Sequence, residues 1–278
     1  MTTITAPSPA RRAAPVNIPE VSDHIGLRRA VETSFTMAYR GLLKIKHNPE
    51  QLFDVTVQPI LFTALFAYIF GGAIGGSVHD YLPTLIPGIL VQTVVLTSVV
   101  TGTQLREDMD KGVFDRFKSL PIARISALAG ALIADMVRYT IATVLTVVVG
   151  LCIGYRPDGG FAGVVVAGLV IIVCSFAVSW IWALVGVTGK SASGVQGMSM
   201  MIMFPLTFMS GALAPVQTMP GWLQGLNHVN PVYYMVNACQ DLMNGNVYGS
   251  NLAYSLLGSA VVIAIFAPLA VKAYMRRA

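Results

Sequence analysis

The sequence predicts an all-α polytopic membrane protein, and three observations predict it. Of 278 residues, 55% are hydrophobic and only 11% are charged, against about 25% charged in an ordinary soluble domain. The apolar residues gather into stretches of roughly twenty, long enough at 1.5 Å per residue to cross a hydrocarbon core of about 30 Å. The basic residues fall almost wholly between alternate stretches, which is how a multi-pass chain records its orientation. With a mean hydropathy of +0.68, a water-soluble globule is excluded.

In chain order, residues 1–22 are rich in Ala, Pro, Thr and Arg and predict a disordered cytoplasmic tail. They lack the apolar core of a secretory signal, so no cleavage is expected. In residues 23–47, Leu27, Val31, Phe35, Ala38, Leu42 and Ile45 recur at spacings of three and four, with Arg28, Arg29, Glu32, Thr36, Arg40 and Lys44 between them. That pattern predicts an amphipathic helix, lying in the interface of an anionic leaflet or packed on a soluble partner. Asn48-Pro49-Glu50 supplies a cap, a proline at the first helical position and an acid in the first turn, which together open a helix. Six spans are predicted within residues 48–278, at about 52–72, 84–104, 125–154, 161–187, 195–214 and 253–275.

Charge orients these spans. Of 18 Lys and Arg, seven precede span one, five lie between spans two and three, Lys190 follows span four, and Lys272, Arg276 and Arg277 close the chain. Only Arg138, inside span three, and Arg156, on the opposite side, depart from one orientation, so both termini are expected in the cytoplasm of a cell with the chain in its inner (plasma) membrane. The net charge of +5 is thus a record of topology, and no nucleic-acid partner is expected. Residues 106–124 hold nine ionisable side chains; at about 2.5 to 3.5 kcal/mol each at a helix centre they are not a seventh crossing. The three cysteines have no metal-type spacing, and Cys152 and Cys174 lie in apolar runs as small hydrophobes.

Among candidate motifs, Gly189-Lys190-Ser191 looks like the end of a phosphate-binding loop. The glycine that should stand five residues earlier is Leu184, and the segment leaves a membrane helix rather than a strand. The four histidines are scattered, and no metal or catalytic constellation is expected. The segment Leu105 to Pro121 places Met109, Val113, Phe114 and Phe117 on one face of a short helix with charges around it. Exposed phenylalanines on an inner surface point to a docking helix for a soluble subunit. Asp135 and Arg138, three apart in span three, share a helix face and pair, for either structure or function. Span five carries five methionines with Phe204, Pro205 and Phe208, a stripe that suits an apolar pathway as well as ordinary packing. Outside it, Met219-Pro220-Gly221-Trp222 and Asn230-Pro231 open two short helices that read as a re-entrant outer pair before the last span.

Three of these places together resemble the type-2 permease family of ATP-binding-cassette transporters, in its daunorubicin-resistance-like drug-efflux branch. They are Lys46-His-Asn-Pro-Glu entering a span with Pro59 that ends Tyr68-Ile-Phe-Gly-Gly72, the charged inner segment closing at Leu120-Pro121, and Ser210-Gly-Ala-Leu-Ala-Pro215 followed by Met219-Pro-Gly-Trp-Leu and Asn230-Pro231. The resemblance covers about residue 35 to the C-terminus.

It implies a type-2 transmembrane domain that binds no cofactor itself, with ATP and Mg on two copies of a separate cytoplasmic ATPase and a second permease copy completing a homodimer or heterodimer. It implies that Glu107, Asp108, Asp110, Lys111, Phe114, Asp115, Arg116 and Phe117 couple to that ATPase. A cavity between spans two and five would take a hydrophobic small molecule past Gln92, Met200, Phe204 and Phe208. Pro220, Trp222, Asn230 and Pro231 would gate its outer mouth. Where the family often has Arg about nine residues after Asn-Pro, this chain has Gln240. Export of a drug, antibiotic or lipid-like metabolite is the leading expectation. Export of a polysaccharide or lipid-linked glycan, and an ATPase-independent secondary carrier with charged spans and inverted repeats, are the alternatives.

Overall fold

The computed structural model describes residues 36, 39, 49–74, 76–112, 124–246 and 249–277. The predicted tail (1–22) and most of the predicted amphipathic helix (23–47) lie outside them; Thr36 and Tyr39 of that helix are helical and exposed. Among the described residues the fold is wholly helical: α1 (Pro49–Ile74), α2 (Val78–Asp110), α3 (Arg124–Ile153), α4 (Gly160–Thr188), α5 (Ala192–Met209), a 3-10 turn (Val216–Thr218), α6 (Gly221–Asn227), α7 (Pro231–Met243) and α8 (Ser250–Arg277). Each predicted span lies on one of the six longest. Among the described residues four stretches are long and apolar enough to cross a membrane, namely α2, Leu128–Ile153 of α3, α4 and Ser250–Arg276 of α8. In α1 the corresponding apolar stretch is the shorter Thr56–Gly72, and α5, with 18 residues, is only about 27 Å long.

Two boundaries differ from expectation. Span two, expected over 84–104, starts at Val78 because Ser77 caps it, its hydroxyl accepting from Asp80 N at 3.2 Å. At its other end the helix runs on through Arg106 to Asp110, so these charged residues finish α2 instead of starting a separate helix. Pairs four apart, Arg106 with Asp110 and Lys111 with Glu107, support that extension. Span five, expected to reach 214, stops at Met209, where Ser210 N turns back to Thr207 O at 3.3 Å and Gly211 takes the left-handed φ of 83°.

The centre of the fold is α2. It packs against α1, α3, α4, α5 and α7, while α8 lies against α4 and α7. From Tyr81 to Leu105 almost every α2 residue is buried, including Gln92, Thr93, Thr97, Ser98, Thr101 and Thr103. The outward surface is apolar: Val144 and Val148 on α3, Leu169 and Val173 on α4, Leu257 and Val261 on α8. Polar side chains inside and bare aliphatic ones outside is the arrangement a lipid solvent selects, with helices held by close packing and interhelical hydrogen bonds. Trp182 Nε1 donates to Ser98 Oγ at 3.0 Å across α4 and α2. Glycine permits the close approach of the same two helices: a Cβ on Gly102 would lie 2.5 Å from Trp182 O, and one on Gly186 2.3 Å from Gly102 O.

Candidate functional site

Three stations along the bundle hold the residues that the sequence singled out. At the first, the end of α2, Lys111 N bonds Glu107 O at 2.9 Å and Gly112 takes a φ of 65°, which closes the helix. Glu107 and Lys111 pair at 3.4 Å on its exposed side, and Asp110 is exposed beside them. Met109 is half buried against the cluster of Leu105, Ala183 and Val187. Whether Met109 shares a helix face with Val113, Phe114 and Phe117 is decided beyond Gly112, by residues outside the described ones. Phe114, Asp115, Arg116 and Phe117 lie outside the described residues.

Sequence reasoning passed over Arg106 at this station. Its Nη1 donates to Gly189 O at 3.0 Å, and its Nη2 pairs with Asp110 Oδ1. The pairing with Asp110 was readable from the spacing of four, but nothing in the sequence announced a partner 83 residues away. Gly189 itself caps α4, donating to Val185 O at 2.8 Å, and Ser191 caps α5 by accepting from Gly194 N at 3.2 Å. Gly189-Lys190-Ser191 is thus the tight turn between two helices.

The second station is the ion pair inside α3. Arg138 Nη1 donates to Asp135 Oδ1 at 2.9 Å, with both side chains buried. Asp135 Oδ2 accepts from Thr101 Oγ1 of α2 at 2.6 Å, and the Tyr139 hydroxyl lies 3.4 Å from the same threonine. The carboxylate therefore uses both oxygens and ties α3 to α2. Arg138 Nε is buried without a partner among the described residues. The pairing was legible in the sequence; Thr101 and Tyr139 were not.

The residues suggested for a pathway occupy two environments. Gln92 is buried in the middle of α2. Met200 is half buried against the core, whereas Phe204 and Phe208 are exposed and stack with centroids 5.3 Å apart. Gln92 thus belongs to the interior, and the two phenylalanines to the outward face of α5.

At the third station, beyond α5, one asparagine joins two helices. Asn230 Oδ1 accepts from Val232 N at 3.0 Å and caps α7, while Asn230 Nδ2 donates to Leu206 O at 2.7 Å. Leu206 O is free to accept because Ser210 N bonds Thr207 O instead. Pro231 follows at the first position of α7, where its missing N–H costs nothing. Pro220 stands one position earlier relative to its helix, at the cap of α6, and Trp222 on α6 is exposed. Gln240 Nε2 donates to Thr84 O of α2 at 3.2 Å, a neutral tie between α7 and α2. Tyr81 on α2 donates to Leu213 O in the stretch after α5. Nearby Tyr155, between α3 and α4, has its phenol pushed above the usual range by burial.

A family model described as ABC-2 type transporter matches residues 33–244. The daunorubicin resistance ABC transporter permease protein DrrB1 of Streptomyces coeruleorubidus is 40% identical over 248 residues, 89% of this chain and 88% of that one. The probable doxorubicin resistance ABC transporter permease protein DrrC of Mycobacterium tuberculosis is 23% identical over 168 residues, 60% of each chain. A wholly helical fold with apolar faces outward, spanned by this family from before α1 to the end of α7, leaves one assignment: the chain belongs to the ABC-2 type transporter family and is a multi-pass permease subunit.

Proposed function

We propose that this chain is the membrane half of an exporter that moves a hydrophobic small molecule out of the cytoplasm or the inner leaflet. The observation that carries the reading is 40% identity, along nearly the whole chain, to a permease named for daunorubicin resistance. A separate cytoplasmic ATPase, in two copies, binds ATP and its magnesium and supplies the power. A second permease, identical or a sister chain, completes the transporter. In this reading α1 and α5 cross the inner membrane along with the four longer helices, both termini are cytoplasmic, and α6 and α7 form a re-entrant pair under the outer surface. Support comes from the placement of Lys and Arg between alternate helices and from the exposed apolar faces of α1 and α5.

The inner end of α2, with Glu107, Asp108, Asp110 and Lys111 and the segment that follows through Phe117, docks on the ATPase. Closure of the ATPase pair moves these ends and opens the space between paired permeases toward the outside. Asp135 and Arg138 hold α3 to α2 during that movement, and the Asn230 cap holds the outer mouth to α5. Among the described residues Tyr233, Tyr234 and Tyr254 cluster at that outer end, with neighbouring ring centroids 5.3 and 5.6 Å apart. The side chains suggested for the pathway on α5, Met200, Phe204 and Phe208, are all apolar, which favours an apolar substrate over a sugar polymer.

The test is ATP hydrolysis in proteoliposomes, comparing this chain alone with this chain plus the ATPase encoded beside it, with daunorubicin as probe. Hydrolysis that requires both subunits and responds to the drug supports the reading. Drug movement driven by an ion gradient without any ATPase would overturn it.

A further inference from the structure

We propose that Arg106 is a positioning residue that carries movement of the inner end of α2 into the turn that starts α5; this rests on the exporter reading above. Arg106 is less exposed than Glu107, Asp110 and Lys111, its side chain 16% accessible against 43% for Asp110. Its guanidinium spans two acceptors, Gly189 O at 3.0 Å on one side and the Asp110 carboxylate on the other. A planar fork holds two acceptors at a set angle, whereas an ammonium group acts as a point charge. Gly189 O lies at the C-terminal, negative end of the α4 dipole, where a cation is favoured.

The connection leads somewhere mechanically useful. Only Lys190 stands between Gly189, the cap of α4, and Ser191, the cap of α5. One turn inside, α2 and α4 meet backbone to backbone at Gly102 and Gly186, so these two ends shift together. Arg106 extends that rigid contact to the turn itself. Asp110, the other member of the fork, stands on the exposed rim assigned to the ATPase. A contact that pulls on Asp110 therefore changes the grip on Gly189 O and is felt two residues later at the start of α5, the helix with the exposed Phe204 and Phe208. Arg106 acts through α5 and touches neither substrate nor nucleotide.

The experiment uses the complete transporter with its ATPase in proteoliposomes and daunorubicin as the probe. It compares wild type, Arg106→Ala, Arg106→Lys and, as a distant control, Arg156→Ala. ATPase co-purification, the KM for ATP and drug moved per ATP hydrolysed are measured on each. Arg106→Ala is expected to retain its ATPase and its KM, while drug moved per ATP falls about tenfold, the size of one lost charge-assisted hydrogen bond. Arg106→Lys is expected to restore part of the ratio, and Arg156→Ala to match wild type.

A normal ratio in Arg106→Ala overturns the proposal, as does a loss of transport that simply tracks lost ATPase binding. If Arg106→Ala does not fold, Arg106→Lys decides: a wild-type ratio there shows that no fork is needed and overturns the proposal too. ATP-independent transport by the wild type is a separate outcome, and it removes the exporter reading itself.

Discussion

The ion pair inside α3 and the cap beyond α5 solve one problem in opposite ways. Both must satisfy polar groups inside a fold bounded by lipid. The inner cluster uses full charges: Arg138 and Asp135 at 2.9 Å, with Thr101 on the second carboxylate oxygen. The outer cap uses neutral amides, Asn230 serving Val232 N and Leu206 O, and Gln240 serving Thr84 O. A buried ion pair is strong only while complete, because either partner alone leaves an uncompensated charge. A neutral amide that loses a partner leaves a smaller desolvation penalty, so the outer end is built to yield first. Under the exporter reading proposed above, the difference suits a permease whose outer mouth opens while its inner helices stay registered.

The largest effect expected is from breaking the inner cluster on one side. Asp135→Ala is expected to destabilise the detergent-solubilised protein by about 3 to 5 kcal/mol, since Arg138 stays buried without its carboxylate. Adding Arg138→Met to that variant is expected to recover much of the loss. Thermal unfolding of the four proteins in a double-mutant cycle reads the coupling, and additive losses would argue that the two side chains do not act as a pair.

Next is the backbone contact of α2 with α4, beside Thr101. Gly102→Ala would set a Cβ 2.5 Å from Trp182 O. It is expected to cost about 1 to 3 kcal/mol by overpacking, visible in the same unfolding assay. Unchanged stability would mean that α2 and α4 are free to separate there.

A smaller effect is expected at the outer cap. Asn230→Ala removes both the cap of α7 and the tie to α5, for about 1 to 2 kcal/mol. Asn230→Asp keeps the acceptor for Val232 N but has no amide to donate to Leu206 O, so it is expected to fall between. Hydrogen exchange of the α7 amides separates the two contributions: protection near Val232 survives in the aspartate variant and is lost in the alanine variant.

The smallest change expected is Gln240→Ala, about 0.6 kcal/mol for a single interhelical hydrogen bond in a membrane protein. A loss comparable to that of Asp135→Ala would erase the contrast between the two ends.

Much of this was legible because it is local. The helix starts at Asn230-Pro231 and the pairing of Asp135 with Arg138 depend on spacings of one to four residues, and helical geometry alone brings such residues together. The scarcity of charge in the long apolar stretches marked the membrane helices for a similar reason, since lipid admits few ionised groups whatever the fold. The misreadings came where backbone conformation overrode composition. Ser77 caps a helix that starts at Val78 where hydropathy would start it at 84, and Gly211, in the left-handed region, follows the end of a helix that hydropathy would carry to 214.

By itself, then, the sequence determined that this protein is helical and membrane-embedded, where its long helices run and which family's pattern it carries. Each of these follows from the transfer of apolar runs into lipid and from short-range periodicity. Only the tertiary structure decided that α2 is the hub, that Thr101 completes the Asp135 cluster, that Asn230 caps two helices and that Arg106 reaches Gly189 O. These contacts join residues 24 to 83 positions apart. Each depends on the distance and rotation at which packed helices meet, which the identities of small residues permit but do not specify.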